Sequence, residues 1–138
     1  MAGYSETPLV KKLGIKSGFN LAFVNAPSGF ASLLNLPSDV AINSRSGKPL
    51  DLVLLFTRSE RDLERCLGNF KTRLKPAGML WVAWPKKSAG IPTDLTFTNV
   101  QAIGLGAGLV DVKICAIDET WSGLKFVYRL EDRARQAI

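Results

Sequence analysis

Two short apolar runs, with an amphipathic segment between them, constrain most tightly what this chain can fold into. The first, Leu50-Asp51-Leu52-Val53-Leu54-Leu55-Phe56, is almost continuously apolar, the pattern of a parallel strand covered on both faces. Leu63, Cys66, Leu67, Phe70 and Leu74 then recur at i, i+3, i+4, i+7 and i+11, which places them on one face of a helix. Thr57 and Glu60 precede that helix at capping-box spacing. Pro76-Ala77-Gly78 marks its stop, and a second buried strand runs on to Trp84.

The flanking segments extend this alternation. Thr7-Pro8 starts a short N-terminal helix that ends at Leu13-Gly14. Residues 21–24 read as a first strand, followed by a short helix with Phe30, Leu33 and Leu34 on one side. Residues 39–43 read as a weak second strand and residues 45–49 as a polar turn. After the fourth strand, a helix starting near Thr93 or Thr98 places Phe97, Val100, Ile103 and Ala107 on one stripe. Residues 109–116 and 124–130 are strands too close in sequence for a crossover helix, so they predict an antiparallel hairpin. The expected architecture is a three-layer α/β sandwich, with a mostly parallel sheet ending in that hairpin. The 138 residues form one domain, with a short N-terminal helix and a basic C-terminal tail carrying Arg129, Arg133 and Arg135.

Composition narrows the chemistry. The chain has no His, and Cys66 and Cys115 form no CxxC pair, so imidazole catalysis and the common zinc sites are excluded and no metal is expected. Both cysteines fall in apolar patterns and read as packed thiols. The apolar runs are far shorter than the ~20 residues that span a bilayer. The start, Met1-Ala2-Gly3-Tyr4-Ser5-Glu6, lacks a signal-peptide pattern, so a cytoplasmic location is expected. A net charge of +6 favours acidic partners. The eighteen Lys and Arg are scattered, however, and no aromatic string accompanies them, so nucleic-acid binding is only an alternative.

Gly104-Leu105-Gly106-Ala107-Gly108 imitates a dinucleotide fingerprint, but its context is reversed. A phosphate loop follows a strand and opens a helix, whereas these glycines close a helix and precede a strand. Topology is the better guide, because ligands of open α/β sheets bind at the carboxyl ends of the strands. Four segments reach that edge: residues 25–29, residues 57–59, residues 84–88 and the hairpin loop 118–123. Pro85 fixes the backbone before Lys86 and Lys87, and Thr93-Asp94 lies near a helix start. With Trp84 and Trp121 flanking, this surface suits a small ligand bearing a phosphate or carboxylate and a planar part. The competing reading is that Lys86 or Lys87 pairs with Asp118 or Glu119 to pin two loops. Adjacent Asp118 and Glu119 point to opposite sides of an extended backbone, which argues against a cooperating catalytic pair.

Three strings carry a family resemblance: Tyr4-Ser5 with Thr7-Pro8-Leu9, Trp81-Val82-Ala83-Trp84-Pro85-Lys86-Lys87, and residues 116–127 from Ala116-Ile117-Asp118 to Lys125-Phe126-Val127. On them, nearly the whole chain resembles a family of small bacterial proteins with a methyltransferase-like fold and no established activity. More widely it resembles the class I methyltransferases that use S-adenosylmethionine. Lys75-Pro76-Ala77-Gly78 looks like their turn before the fifth strand, and Ala107-Gly108-Leu109 like the approach to their final hairpin. The resemblance implies a strand order of 2-1-3-4-6-5, with the last strand antiparallel. It also implies a glycine-rich loop after strand one and an acid after strand two that holds the cofactor ribose. Here those places hold Asn25-Ala26-Pro27-Ser28-Gly29-Phe30 and Asn43-Ser44-Arg45.

The leading expectation is therefore a non-catalytic ligand-binding or interaction module on a methyltransferase-like scaffold that has lost its cofactor motif. Its site would be drawn from Trp84, Lys86, Lys87, Thr93, Asp94, Asp118, Glu119 and Trp121, and its partner would be a small anion or another protein. The alternative is an active S-adenosylmethionine-dependent transferase, with Asn25, Ser28 and Gly29 lining its cofactor pocket.

Overall fold

The computed structural model describes residues 8–42 and 48–136. Pro8 caps a short helix, α1 (Leu9–Leu13), closed by Gly14 at φ 88°, a left-handed conformation that glycine adopts without strain. β1 (Asn20–Val24) and β2 (Ala41–Ile42) are joined by a segment whose regular structure is one 3-10 turn, Ala31–Leu33. β3 (Leu50–Phe56), α2 (Glu60–Lys71) and β4 (Leu74–Pro85) follow. Then come α3 (Phe97–Gly106), β5 (Leu109–Ala116), β6 (Trp121–Tyr128) and α4 (Leu130–Gln136).

The strands form one sheet in the order β2-β1-β3-β4-β6-β5, as the resemblance implies. β2, β1, β3 and β4 are parallel, and β6 is antiparallel to both of its neighbours. β5 therefore runs in the same direction as β4, which brings the β5–β6 loop to the carboxyl edge of the parallel strands.

Each face of the sheet carries its own apolar cluster. On one, Leu63, Cys66 and Leu67 of α2 and Val100 of α3 pack over Leu80, Val82, Trp84 and Phe126. On the other, Leu13, Ile15 and Phe30 cover Leu52, Leu54, Phe56 and Trp81. This second covering layer is thin, since it consists of α1 and irregular chain. Its anchor is Trp81, which is fully buried and donates its indole Nε1–H to the Leu13 carbonyl at 2.9 Å.

Several local expectations are corrected. The α2 cap is Ser59, whose hydroxyl accepts from the Asp62 amide at 3.1 Å, and not Thr57 with Glu60. Leu74 lies in β4, because α2 ends at Lys71 and Leu74 already pairs with Leu50. Lys75-Pro76-Ala77-Gly78 is thus an irregularity inside β4, after which pairing resumes at Leu52 with Met79. Proline is tolerated there because the ladder is interrupted. Leu33 faces solvent while Phe30 is buried, since one 3-10 turn cannot hold an amphipathic stripe. α3 begins at Phe97 behind a Thr96–Asn99 capping box, between the two anticipated starts. β6 begins at Trp121, three residues earlier than expected. The polar turn and the end of the second strand fall partly at residues 43–47, outside the described residues.

One cross-strand pair runs against stability. Lys113 and Lys125 are direct partners on β5 and β6. Burial, and then the neighbouring Lys113, push the Lys125 ammonium below its ordinary pKa. A lowered lysine pKa means a penalty present below the folded value, which vanishes as pH rises past the unfolded value near ~10.4. Lys113→Gln is therefore expected to raise the urea midpoint at pH 7 by the equivalent of roughly 0.5 kcal/mol. The gain should shrink in high salt and disappear above pH ~10.5. An unchanged or lower midpoint at pH 7 would show that the pair costs nothing.

Candidate functional site

The strand order reverses between β1 and β3, and a crevice opens at the carboxyl ends of these two strands. It encloses about 520 Å³, within the size range of small-ligand sites. Asn25 and Pro27 from the β1 exit form one wall, and Phe56, Thr57 and Arg58 from the β3 exit form the floor. Asp62 and Arg65 of α2, with Ile91 and Trp121, complete the lining.

The positions of these groups follow from local structure. Asn25 turns the chain out of β1 with φ 56°, a left-handed conformation that asparagine tolerates better than most residues. Thr57 is buried, with its amide donating to the Ala83 carbonyl at 2.9 Å, so the β3 exit is tied to β4. The Arg58 carbonyl accepts from the Thr93 hydroxyl at 2.6 Å and the Asp94 amide at 3.3 Å, which fixes the backbone carrying that guanidinium. Trp121 meets Phe56 edge to face, with ring centroids 5.1 Å apart, so the indole wall rests on the core.

The charges do not cancel. Arg65 pairs with Asp62 at 2.6 Å, the one carboxylate among the described lining residues, which leaves Arg58 as their excess charge. No histidine or cysteine lines the crevice. Burial pushes the Cys66 thiol up, and Cys115 likewise despite the opposing fields of Lys113 and Lys12, so neither is a ready thiolate. Among the described residues, no three His, Cys, Asp or Glu side chains come together as a metal set. The crevice is equipped to hold and orient an anion beside an aromatic wall. Among the described residues, its carboxylate, Asp62, is paired with Arg65, and its hydroxyl, Thr57, donates to the Ser59 carbonyl at 3.3 Å.

The sequence-derived candidates divide between this crevice and a second cleft beside the N-terminus of α3. Trp84, Lys86, Lys87 and Thr93 do come together, with Leu95, Phe97 and Ile114, around about 400 Å³. Trp121 is not with them. Trp84 pairs with Ser122 and Pro85 with Trp121, so the two indoles leave the sheet on opposite sides. Asp94 caps α2, accepting from the Glu60 amide at 2.8 Å. Asp118 folds back to accept from the Thr120 and Trp121 amides at 2.8 and 2.9 Å. Neither Asp118 nor Glu119 lines either cleft. The two loops are joined by their backbones, Lys86 donating to the Thr120 carbonyl at 2.8 Å. Of the transferase candidates, Asn25 lines the crevice, while Ser28 and Gly29 are exposed and lie off it. Sequence reading passed over Asp62 and Arg65, whose i, i+3 spacing was the available signal. It noted Thr57-Arg58-Ser59 only as an edge segment.

No protein-family profile matches the chain, and no curated protein sequence matches it. Similarity to solved structures is extensive in fold and low in sequence. A SAM dependent methyltransferase from Aquifex aeolicus superposes with a TM-score of 0.62 at 13% identity, over 86% of this chain and 86% of the other. The ribosomal protein L11 methylase from Lactobacillus delbrueckii subsp. bulgaricus gives 0.58 at 10% identity, over 88% and 75%. Aeropyrum pernix fibrillarin, solved with natively bound S-adenosyl-L-methionine, gives 0.57 at 11% identity, over 91% and 70%. The chain has a methyltransferase-like α/β fold.

The described residues match S-adenosylmethionine only in part. Its α-carboxylate and adenine suit Arg58 and Trp121, but its sulfonium and α-ammonium groups are cations, and the described lining offers them no carboxylate outside the Asp62–Arg65 pair. After β1 the chain enters a three-residue 3-10 turn, so no α-helix N-terminus faces the cofactor position. Phe30, where that loop ends, is buried against Phe56 at 5.0 Å between ring centroids and adds no polar group. Residues 43–45, where a ribose-binding acid is expected, lie outside the described residues.

Proposed function

We propose that this protein is a binding module on a methyltransferase scaffold, which takes a small ligand with an anionic group and a planar part into the crevice between β1 and β3. The observation that carries the reading is the uncompensated Arg58 guanidinium beside the Trp121 wall, in a crevice whose Asp62 is already held by Arg65. Arg58 grips the phosphate or carboxylate, Trp121 provides the apolar surface for the planar part, and Asn25 shapes the opposite wall. S-adenosylmethionine-dependent transfer is the second reading, favoured by the fold neighbours and by the crevice's place at the strand ends.

Adenosine monophosphate serves as a probe, since it combines a planar base with a phosphate. In a titration followed by amide and indole NMR signals, it is expected to shift the Asn25, Arg58 and Trp121 resonances saturably. Arg58→Gln should weaken that binding roughly tenfold through loss of a charge-assisted contact, with the melting temperature unchanged. Equal affinity of the variant and the parent protein would remove Arg58 from the site.

A further inference from the structure

The cleft beside the N-terminus of α3 is built from a different chemistry. Its walls are apolar: Trp84, Leu95, Phe97 and Ile114. Trp84 and Leu95 are nearly fully buried, whereas Phe97 and Ile114 stay 40% and 55% exposed. Large apolar side chains left open on both sides of a concave surface give a ligand something to cover. At the rim stand Lys86 and Lys87, and no Asp or Glu is present in the lining.

The two threonines of the cleft are engaged inside the protein, while Ser122 adds a hydroxyl to its lining. Thr93 donates to the Arg58 carbonyl and accepts from the Leu95 amide at 3.1 Å. Thr96 accepts from the Asn99 amide in the capping box that closes the α3 N-terminus. An anion in this cleft is therefore met by the two ammonium groups and not by the helix end. The 86–96 segment separates this cleft from the crevice, since Ile91 faces the crevice and Thr93 the cleft.

We infer that this cleft is a second ligand site, selective for an amphipathic monoanion: an aliphatic or aryl carboxylate whose apolar body lies between Phe97 and Ile114 while its carboxylate meets Lys86 and Lys87. Charge complementarity chooses the carboxylate, and the apolar walls choose its body. A long ammonium side chain keeps its head in water while its stem lines an apolar wall, so the two lysines serve both halves of such a ligand. The inference is independent of the proposal for the crevice, because it uses none of the same side chains.

Octanoate, with 1-octanol as the uncharged control of the same chain length, tests it by NMR titration. Octanoate is expected to shift the Phe97, Ile114 and Lys87 amides saturably and to bind more tightly than octanol. The Lys86→Gln/Lys87→Gln variant should fold normally and bind octanoate roughly three- to fivefold more weakly, the scale of exposed ion pairs, while octanol binding stays the same. Ile114→Asp, placing an acid at the mouth, should abolish octanoate binding. Equal affinity for acid and alcohol, undiminished binding in the double lysine variant, or shifts only at Arg58 and Trp121 would each overturn the assignment. Arg58→Gln should leave octanoate binding intact, which keeps the test separate from that of the crevice.

Discussion

Trp81→Ala is expected to lose roughly 3–5 kcal/mol of stability, a large share of what a domain this size possesses. Trp81 is fully buried in the middle of β4, and its indole joins the sheet to the carbonyl of Leu13. Deleting it removes a large apolar side chain, opens a cavity under a thin layer and strands a buried acceptor at the end of α1. At about 3–6 °C per kcal/mol, the melting temperature should fall by on the order of 15 °C. Trp81→Phe separates these contributions. It keeps most of the volume and loses the hydrogen bond, so it should cost about 1–3 kcal/mol. If Trp81→Phe melts with the parent protein, the indole–Leu13 bond does not hold α1 in place. If Trp81→Ala does so as well, the packing of this face has been misjudged.

Gly104→Ala is the second large effect, and its sign is decided by two opposed quantities. Alanine in a helix is worth up to about 1 kcal/mol over glycine. Yet a Cβ on Gly104 would lie 2.0 Å from Cε1 of Phe126, whose ring is fully buried. Displacing a packed aromatic ring costs about 1–3 kcal/mol or more, and at so close an approach the upper end applies. The net result should be a loss of roughly 2 kcal/mol, with Gly104→Val worse. Gly106→Ala is the control, because a Cβ there meets nothing within 4 Å. It should be neutral or slightly stabilising. Phe126→Leu combined with Gly104→Ala should recover part of the loss, and additive losses would contradict the proposed contact.

These effects also show why the sequence disclosed the frame better than the site. Leu50 to Phe56 and the run ending at Trp84 announced central strands because strands covered on both faces need apolar residues throughout. The hairpin was legible from the short separation of its strands. Gly104 reads as one of the glycines that close a helix, but its partner Phe126 is distant in sequence. What failed depended on register and on interruptions of regular structure. Lys75-Pro76-Ala77-Gly78 looks like a turn in any window, yet Leu74 has already joined β3 before it. The separation of Trp84 from Trp121 rests on a one-residue offset across the β4–β6 ladder, which no local pattern reveals. Asp94 and Asp118 looked available because acidic loop residues always do, but backbone amides claim both. Arg58 gained significance only when topology placed β1 beside β3 and Trp121 above them.

The central claim is the proposal that the crevice at the carboxyl ends of β1 and β3 selects a ligand with an anionic group. Thermal unfolding in saturating adenosine monophosphate, against the same concentration of S-adenosylhomocysteine, tests it directly, since the two share adenosine and differ in the charge of the tail. A ligand at 100 times its dissociation constant adds about 2.7 kcal/mol, a rise on the order of 10 °C for a chain of this length. The account predicts a saturable rise with the monophosphate, lost in Arg58→Gln, and none with S-adenosylhomocysteine. A saturable rise with S-adenosylhomocysteine, and none with the monophosphate, would contradict it and restore the transferase.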